Sequence, residues 1–186
     1  MSKNEVSPSK CEKKGKKWIL YGLKDSKSRL EDYIKENDVS DPNSKDKIEL
    51  EDYDNQKVKD IDRRALTDGY LSGKWEMEID PKRVDEVWDL IKKLIDKNQI
   101  WGAQVTTRWI REERDLEYHM IRVYTPNYLD EKDVLRVGDL LKDKCGIEKR
   151  IIYKPDIYNI LQVYSDKGDQ MKLPKEIRHD LSTTPP

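Results

Sequence analysis

The sequence predicts an α+β domain with the chain order β-α-β-β-α-β, an antiparallel-rich sheet and helices on one face. Three observations predict it. Two stretches, KWEMEI and YHMIRVYT, alternate apolar and polar residues with the two-residue period of a strand buried on one side. Two longer stretches space their apolar residues helically: Val84, Val87, Trp88, Ile91, Leu94 and Ile95 in the first, Val134, Val137, Leu141 and Cys145 in the second. Two helices with one apolar stripe each must bury those stripes against one face of the sheet.

The elements follow in order. Residues 1–17 are rich in Lys, Ser and Glu, with Lys10, Lys13, Lys14, Lys16 and Lys17 clustered, and read as a basic flexible tail. The functional reading of that cluster is a nuclear-localisation or polyanion-binding patch. Residues 18–37 form a strand-helix appendage. Its strand begins at Trp18, and its helix carries Leu30, Tyr33 and Ile34 behind a cap at Ser26 or Ser28. Residues 38–62 lose the apolar period and read as an acidic linker. A single α+β domain is expected over 63–181, and 182–186 is a tail.

Within that domain, Trp75, Met77 and Ile79 face the core, while Lys74, Glu76 and Glu78 face away. Asp80 and Pro81 supply an N-cap and an N1 proline for the first helix. The second strand is expected across GAQVTTRW, with Ala103, Val105 and Thr107 opposite Gln104, Thr106 and Arg108. A charged turn, REERDLE, leads to the third strand. There His119, Ile121 and Val123 face opposite Tyr118, Met120, Arg122 and Tyr124. The second helix starts behind Asp130 and stops at Gly146. KRIIYK is the fourth strand. Pro155 cannot donate to a central ladder and ends it, which leaves Lys154 and Asp156 at a strand end.

Composition narrows the function. Of 186 residues, 35% are hydrophobic and 40% charged, so part of the chain is expected to be thin surface or disordered. A net charge of −1 argues against a generally basic nucleic-acid binder but leaves room for a local patch. Cys11 and Cys145 make neither a disulfide framework nor a zinc spacing, and no metal or cofactor is expected. There is no P-loop, nucleophile elbow or dinucleotide fingerprint. No apolar run approaches the roughly 18 residues of a membrane span. The expected location is the cytoplasm, with the nucleus as a second compartment.

Three segments, SGKWEMEIDPKRVDEVW, VYTPNYLDEKDVLRV and YKPDIYNILQVY, resemble the basophilic-leukaemia-expressed protein family over roughly residues 69–181. The resemblance implies a fold similar to that of the mRNA-cap-binding translation initiation factor. It sets Arg108 where that factor has a phosphate-contacting arginine. Family members usually carry lysine in place of Gln104 and Gly-Ile-Tyr in place of Gln162-Val163-Tyr164. The Trp-Glu pair expected ahead of the Gly-Lys-Trp strand is replaced by RRALTDGYL. Trp75 and Trp88 fall at core positions, and Trp18, Trp101 and Trp109 remain as candidate stacking rings.

Three functions compete on these residues. The leading one is a non-catalytic module that binds a phosphate-bearing ligand (RNA, a nucleotide or a phosphopeptide) on the polar sheet face. Arg108, Arg122, Lys74 and Lys154 would form the anion site, Tyr118 and Tyr124 would stack a base or pack on an aliphatic stem, and Asp156 is a further ligand-binding candidate at the strand end. The second is an enzyme on a phosphorylated substrate, similar to a phosphothreonine lyase, with Lys74 or Lys154 as base and His119 as acid. The third is a protein-interaction domain.

Overall fold

In the computed structural model, residues 6–23, 27–50, 56–162 and 180–181 are described. The strands are β1 (Trp18–Tyr21), β2 (Gly73–Ile79), β3 (Gly102–Thr106), β4 (His119–Thr125), β5 (Ile151–Pro155) and β6 (Asp180–Leu181). They form one sheet in the order β1-β3-β4-β2-β5-β6. Every pairing is antiparallel. The helices are α1 (Lys27–Asn37), α2 (Gln56–Asp68), α3 (Val84–Asp96), α4 (Arg108–Glu113), α5 (Glu131–Cys145) and α6 (Asp156–Ile160). The expected α+β class and the β-α-β-β-α-β order survive as β2-α3-β3-β4-α5-β5, with α4 added between β3 and β4.

The core lies between one sheet face and the helices. Trp75, Met77, Ile121, Val123, Val105 and Tyr153 come from the strands, and the predicted stripes of α3 and α5 complete it, all of them buried. Trp75 Nε1 donates to the Val134 carbonyl at 2.9 Å, which ties the central strand to α5. The α5 boundaries are as predicted. Asp130 Oδ1 accepts from the Asp133 amide at 3.0 Å, and Gly146 adopts φ 61°.

Local competition moved two boundaries. Asp80 Oδ1 accepts from the Lys82 amide at 2.7 Å, an Asx turn that holds Pro81 ahead of the helix and delays α3 to Val84. Strand β3 stops at Thr106 because the Thr107 side chain accepts from the Ile110 amide and caps α4. Thus RWIREE is a short helix, and Arg108 belongs to it.

The N-terminal third is built into the domain. Strand β1 pairs with β3 from Trp18 against Thr106 to Tyr21 against Ala103, so it is an edge strand of the main sheet and no appendage. Residues 8–10 form a 3-10 turn, and Cys11 is buried in the core cluster. The Ser9 amide donates to Asp85 Oδ1 at 2.9 Å and its hydroxyl to Oδ2. The expected tail therefore does not extend over residues 8–11, because a carboxylate on α3 and a buried thiol hold them. The expected linker is likewise occupied by α2, whose Val58 and Ile61 join the core. Tyr128 Oη donates to α2's Asp62 Oδ1 at 2.6 Å. The α1 cap proposed at Ser26 lies outside the described residues, as do Val163, Tyr164 and the tail over 182–186; Ser28 sits inside the first turn of α1.

Trp88 is 1% exposed at the centre of the α3 stripe. Trp88→Ala is expected to destabilise the domain by about 3–5 kcal/mol, the range for large core truncations. Urea denaturation followed by circular dichroism checks this; an unchanged midpoint would contradict the packing described.

Candidate functional site

The sheet face turned away from the core is positioned by strand register. Gln104 stands opposite Leu20 and Arg122, Arg122 opposite Glu76, and Glu76 opposite Ile152. One turn of the pleat away, Lys74 lies between Tyr124 and Lys154. Side chains on directly paired residues project to the same side, so this register assembles a polar face across five strands.

Its charges are paired. The Glu76 carboxylate bridges two cations, with Lys154 Nζ 2.5 Å from Oε2 and Arg122 Nε 2.8 Å from Oε1. The Arg122 contact lies off the line of a hydrogen bond and is ionic. Burial alone would raise the Glu76 pKa, but the Lys154 hydrogen bond and the Lys154, Arg122 and Lys74 charges outweigh it and hold it below the usual range. The Arg122 guanidinium lies 4.7 Å from the centre of the Trp18 ring.

Beside this bridge is a second pair. Lys74, only 5% exposed, donates to Asp156 Oδ1, while Ser72 Oγ donates to Asp156 Oδ2 at 2.6 Å. Asp156 opens α6, and its amide donates to the Ser72 carbonyl at 2.9 Å. The rigid Lys154-Pro155-Asp156 step thus sends one charge to each side: Lys154 to Glu76, Asp156 to Lys74. The Tyr124 phenol is pushed up to about 12, chiefly by burial and then by the Asp156 carboxylate, and is neutral at physiological pH.

The structure separates other predicted site residues. Arg108, on α4, pairs with Glu12 at 2.8 Å and Glu112 at 2.7 Å, whereas Arg122 engages Glu76 and Trp18. Its expected place beside Arg122 is corrected by the early end of β3. Tyr118 precedes β4, with Lys149 Nζ 4.1 Å from its ring centre. His119 is 1% exposed on the core side, where its Nδ1 lies 2.8 Å from the Thr106 carbonyl. That carbonyl can only accept, so Nδ1 carries the proton. Burial lowers the His119 pKa against the opposing carbonyl bond. The sheet stands between His119 and both Lys74 and Lys154, so the suggested acid–base set is not assembled. Among the described residues no group of His, Cys, Asp and Glu is placed to hold a metal ion, and no helix is long and apolar enough to cross a membrane.

Sequence reasoning missed Lys149 and Arg150. With Lys154 they line a cleft of about 240 Å³ that also contains Glu76, Glu78, Met120 and Ile152. A neighbouring cleft of about 240 Å³ shares Glu78 and Lys149 and includes Tyr118 and Arg83. Their signal in the sequence is the pair of adjacent cations, Lys149 and Arg150, that opens the KRIIYK stretch.

This is a single-sheet α+β domain with helices on one face and a charged, ion-paired face on the other. The sequence model of the family described as basophilic leukemia-expressed protein Bles03 matches residues 3–162, and the chain belongs to that family. The match takes in the N-terminal strand and turn, the first two segments noted above and the third as far as Gln162, so it starts earlier and ends earlier than the stretch 69–181 that the segments suggest. Among solved structures, the chain is similar to Caenorhabditis elegans eIF4E-3 in complex with the 4E-binding protein Mextli and cap analog, at 20% identity and TM-score 0.42, covering 50% of this chain and 55% of that one. It is similar to Ascaris suum eIF4E-3 with m2,2,7G cap, at 21% identity and TM-score 0.40, covering 56% of each chain. A schistosome eIF4E complexed with m7GpppA and 4E-BP matches at 19% identity and TM-score 0.41, covering 60% of this chain and 59% of that one. The chain therefore spans less than two thirds of each of these structures.

Glu76→Gln is expected to cost about 1–3 kcal/mol at pH 7, because Lys154 and Arg122 lose their shared charge. The folded-state pKa of Glu76 is depressed, so its contribution is present above the unfolded carboxylate value and lost as pH falls through the folded value. The stability gap between wild type and variant should close between pH 5 and the acid limit of folding, about the range of carboxylate titration. Denaturation midpoints measured against pH check it.

Proposed function

We propose that the domain is a non-catalytic binding module for a phosphate-bearing ligand, seated in the cleft beside β5 on the open sheet face. The observation that carries this reading is the convergence of Lys149, Arg150 and Lys154 on one cleft, over the apolar floor of Met120 and Ile152. Glu76 is already committed to Lys154 and Arg122. An entering phosphate would gain charge-assisted hydrogen bonds from the lysines and the arginine. The cleft is smaller than the roughly 300–1,000 Å³ of drug-sized sites, which suits a phosphoryl group with a short stem. Tyr118, under Lys149, supplies a flat ring next to it. The ligand class is a nucleotide, RNA or phosphorylated peptide, and the chemistry is binding, because His119 lies on the core side of the sheet.

The test is titration of a cap analogue, a short RNA and a phosphothreonine peptide against wild type, Lys154→Ala, Lys149→Ala and Arg108→Ala, at low and at moderate salt. Binding by at least one ligand should weaken about tenfold in both lysine variants, as for loss of a charged hydrogen bond. It should also weaken with salt and be unchanged in Arg108→Ala. Absence of binding by all three, or binding indifferent to both lysines, would overturn the proposal. Phosphate released from the peptide would replace it with catalysis.

A further inference from the structure

We infer that the open face carries a single-stranded polynucleotide laid across the strands, anchored at the β1 edge by Lys13, Lys14, Lys16 and Lys17. The inference rests on the phosphate-binding reading of the β5 cleft and extends it along the same face to the β1 edge.

The four lysines are exposed around a turn at Gly15, whose φ of 82° is in the left-handed region. The Lys16 amide donates to the Lys13 carbonyl at 3.0 Å and closes the turn. Among the described residues none of the four has a carboxylate partner, in contrast to Lys74, Arg122 and Lys154 on the sheet. The loop is held in place at both ends. Cys11 is buried before it. After it, the Thr107 amide donates to the Lys17 carbonyl at 3.1 Å, and Thr107 Oγ1 donates to the Lys16 carbonyl at 2.5 Å. A cationic run on a pinned backbone is a site of fixed geometry, where a free tail would spend conformational entropy on binding.

Trp18 follows directly. It pairs with Thr106 and turns its ring to the open face under Arg122. Two residues further along β1, the register row Leu20, Gln104, Arg122, Glu76 and Ile152 leads to the Lys149–Arg150–Lys154 cleft. Four inter-strand steps of about 4.8 Å put β1 and β5, which the two cationic groups precede, about 19 Å apart. That lies within reach of the short segments, about 4–16 nucleotides, that single-domain binders of single strands cover. Cations at both ends with an indole between them match a chain that carries phosphates and flat bases in alternation. A base entering over Trp18 takes the place of the Arg122 guanidinium, which is then near the adjoining phosphate. An acidic peptide matches the charges but has no ring for the indole.

The experiment uses fluorescence anisotropy with dye-labelled octauridylate, with uridine monophosphate and a glutamate octapeptide as competitors. The proteins are wild type, the quadruple variant Lys13→Gln/Lys14→Gln/Lys16→Gln/Lys17→Gln, and Lys154→Ala. The four substitutions are on exposed side chains, and a thermal melt checks that the fold is kept. Expected is tighter binding of the octamer than of the monophosphate. The quadruple variant should lose at least tenfold in octamer affinity. Its log–log salt slope should flatten by about 2–3, since each single-strand phosphate contact contributes about 0.7. The monophosphate affinity should be unchanged in the quadruple variant and about tenfold weaker in Lys154→Ala. Octamer binding with wild-type affinity and slope in the quadruple variant would overturn the inference and leave the cleft reading standing. So would an octamer no tighter than the monophosphate. Competition by the glutamate peptide as strong as by the octamer would overturn it in favour of an acidic protein partner. If neither the octamer nor the monophosphate binds, this inference falls, and the cleft reading falls with it when the phosphothreonine peptide also fails to bind.

Discussion

The Tyr153 ring lies where a side chain on residue 73 would have to be. A Cβ built on Gly73 would sit 2.2 Å from the Tyr153 hydroxyl and 2.6 Å from its Cζ, so only glycine fits. In return the hydroxyl reaches Thr125 Oγ1 at 2.5 Å, and the ring meets Trp75 edge-on at 5.2 Å between centroids. Trp75 in turn holds α5 through Val134. One close approach thus binds β5, β2, β4 and α5 together. It also sets the Gly73–Pro155 register on which the polar face depends. The three sequence segments that resemble the family meet here: SGKW through Gly73, VYTP through Thr125, and YKPD through Tyr153.

The other side of that corner is electrostatic. Lys74, Ser72 and Asp156 form one hydrogen-bonded group, and Glu76, Arg122 and Lys154 form another. Burying ions costs several kcal/mol each unless partners compensate, so a nearly buried Lys74 demands its carboxylate. The Lys-Pro-Asp step meets that demand. Proline ends the strand and starts α6, which brings Asp156 back over Lys74 while Lys154 stays in register with Glu76. Glu76 neutralises the centre of this face, while among the described residues Lys149 near one edge and Lys13, Lys14, Lys16 and Lys17 at the other have no carboxylate partner.

Buried anchors at intervals hold the N-terminal third. Tyr33, fully buried, donates to both oxygens of Asp133, which Arg136 also engages at 2.7 Å. Burial raises the Asp133 pKa, with Arg136 and Tyr33 opposing. Arg29 donates to the carbonyls of Ile95, Ile100 and Trp101, and satisfies acceptors left where α3 ends. These contacts span many residues of chain and join helices across the domain.

The fold class, the strand phases around Trp75 and Val123, the two helical stripes and the Asp130 and Gly146 caps were legible in the sequence. Each depends on neighbours a few residues apart, where periodicity and capping chemistry act. Lys154 and Asp156 were recognised as charges at a strand end on the same basis. Tertiary structure alone decided which carboxylate each cation meets, that Thr107 turns the chain into a helix and takes Arg108 with it, and that Lys149 and Arg150 face the same cleft as Lys154. It also decided that the lysine-rich start is a pinned loop, because Ser9 finds Asp85 and Thr107 finds Lys16 only once α3 and β3 are in place. Those pairings join residues 76 and 91 positions apart, a separation at which local patterns in the sequence carry no signal.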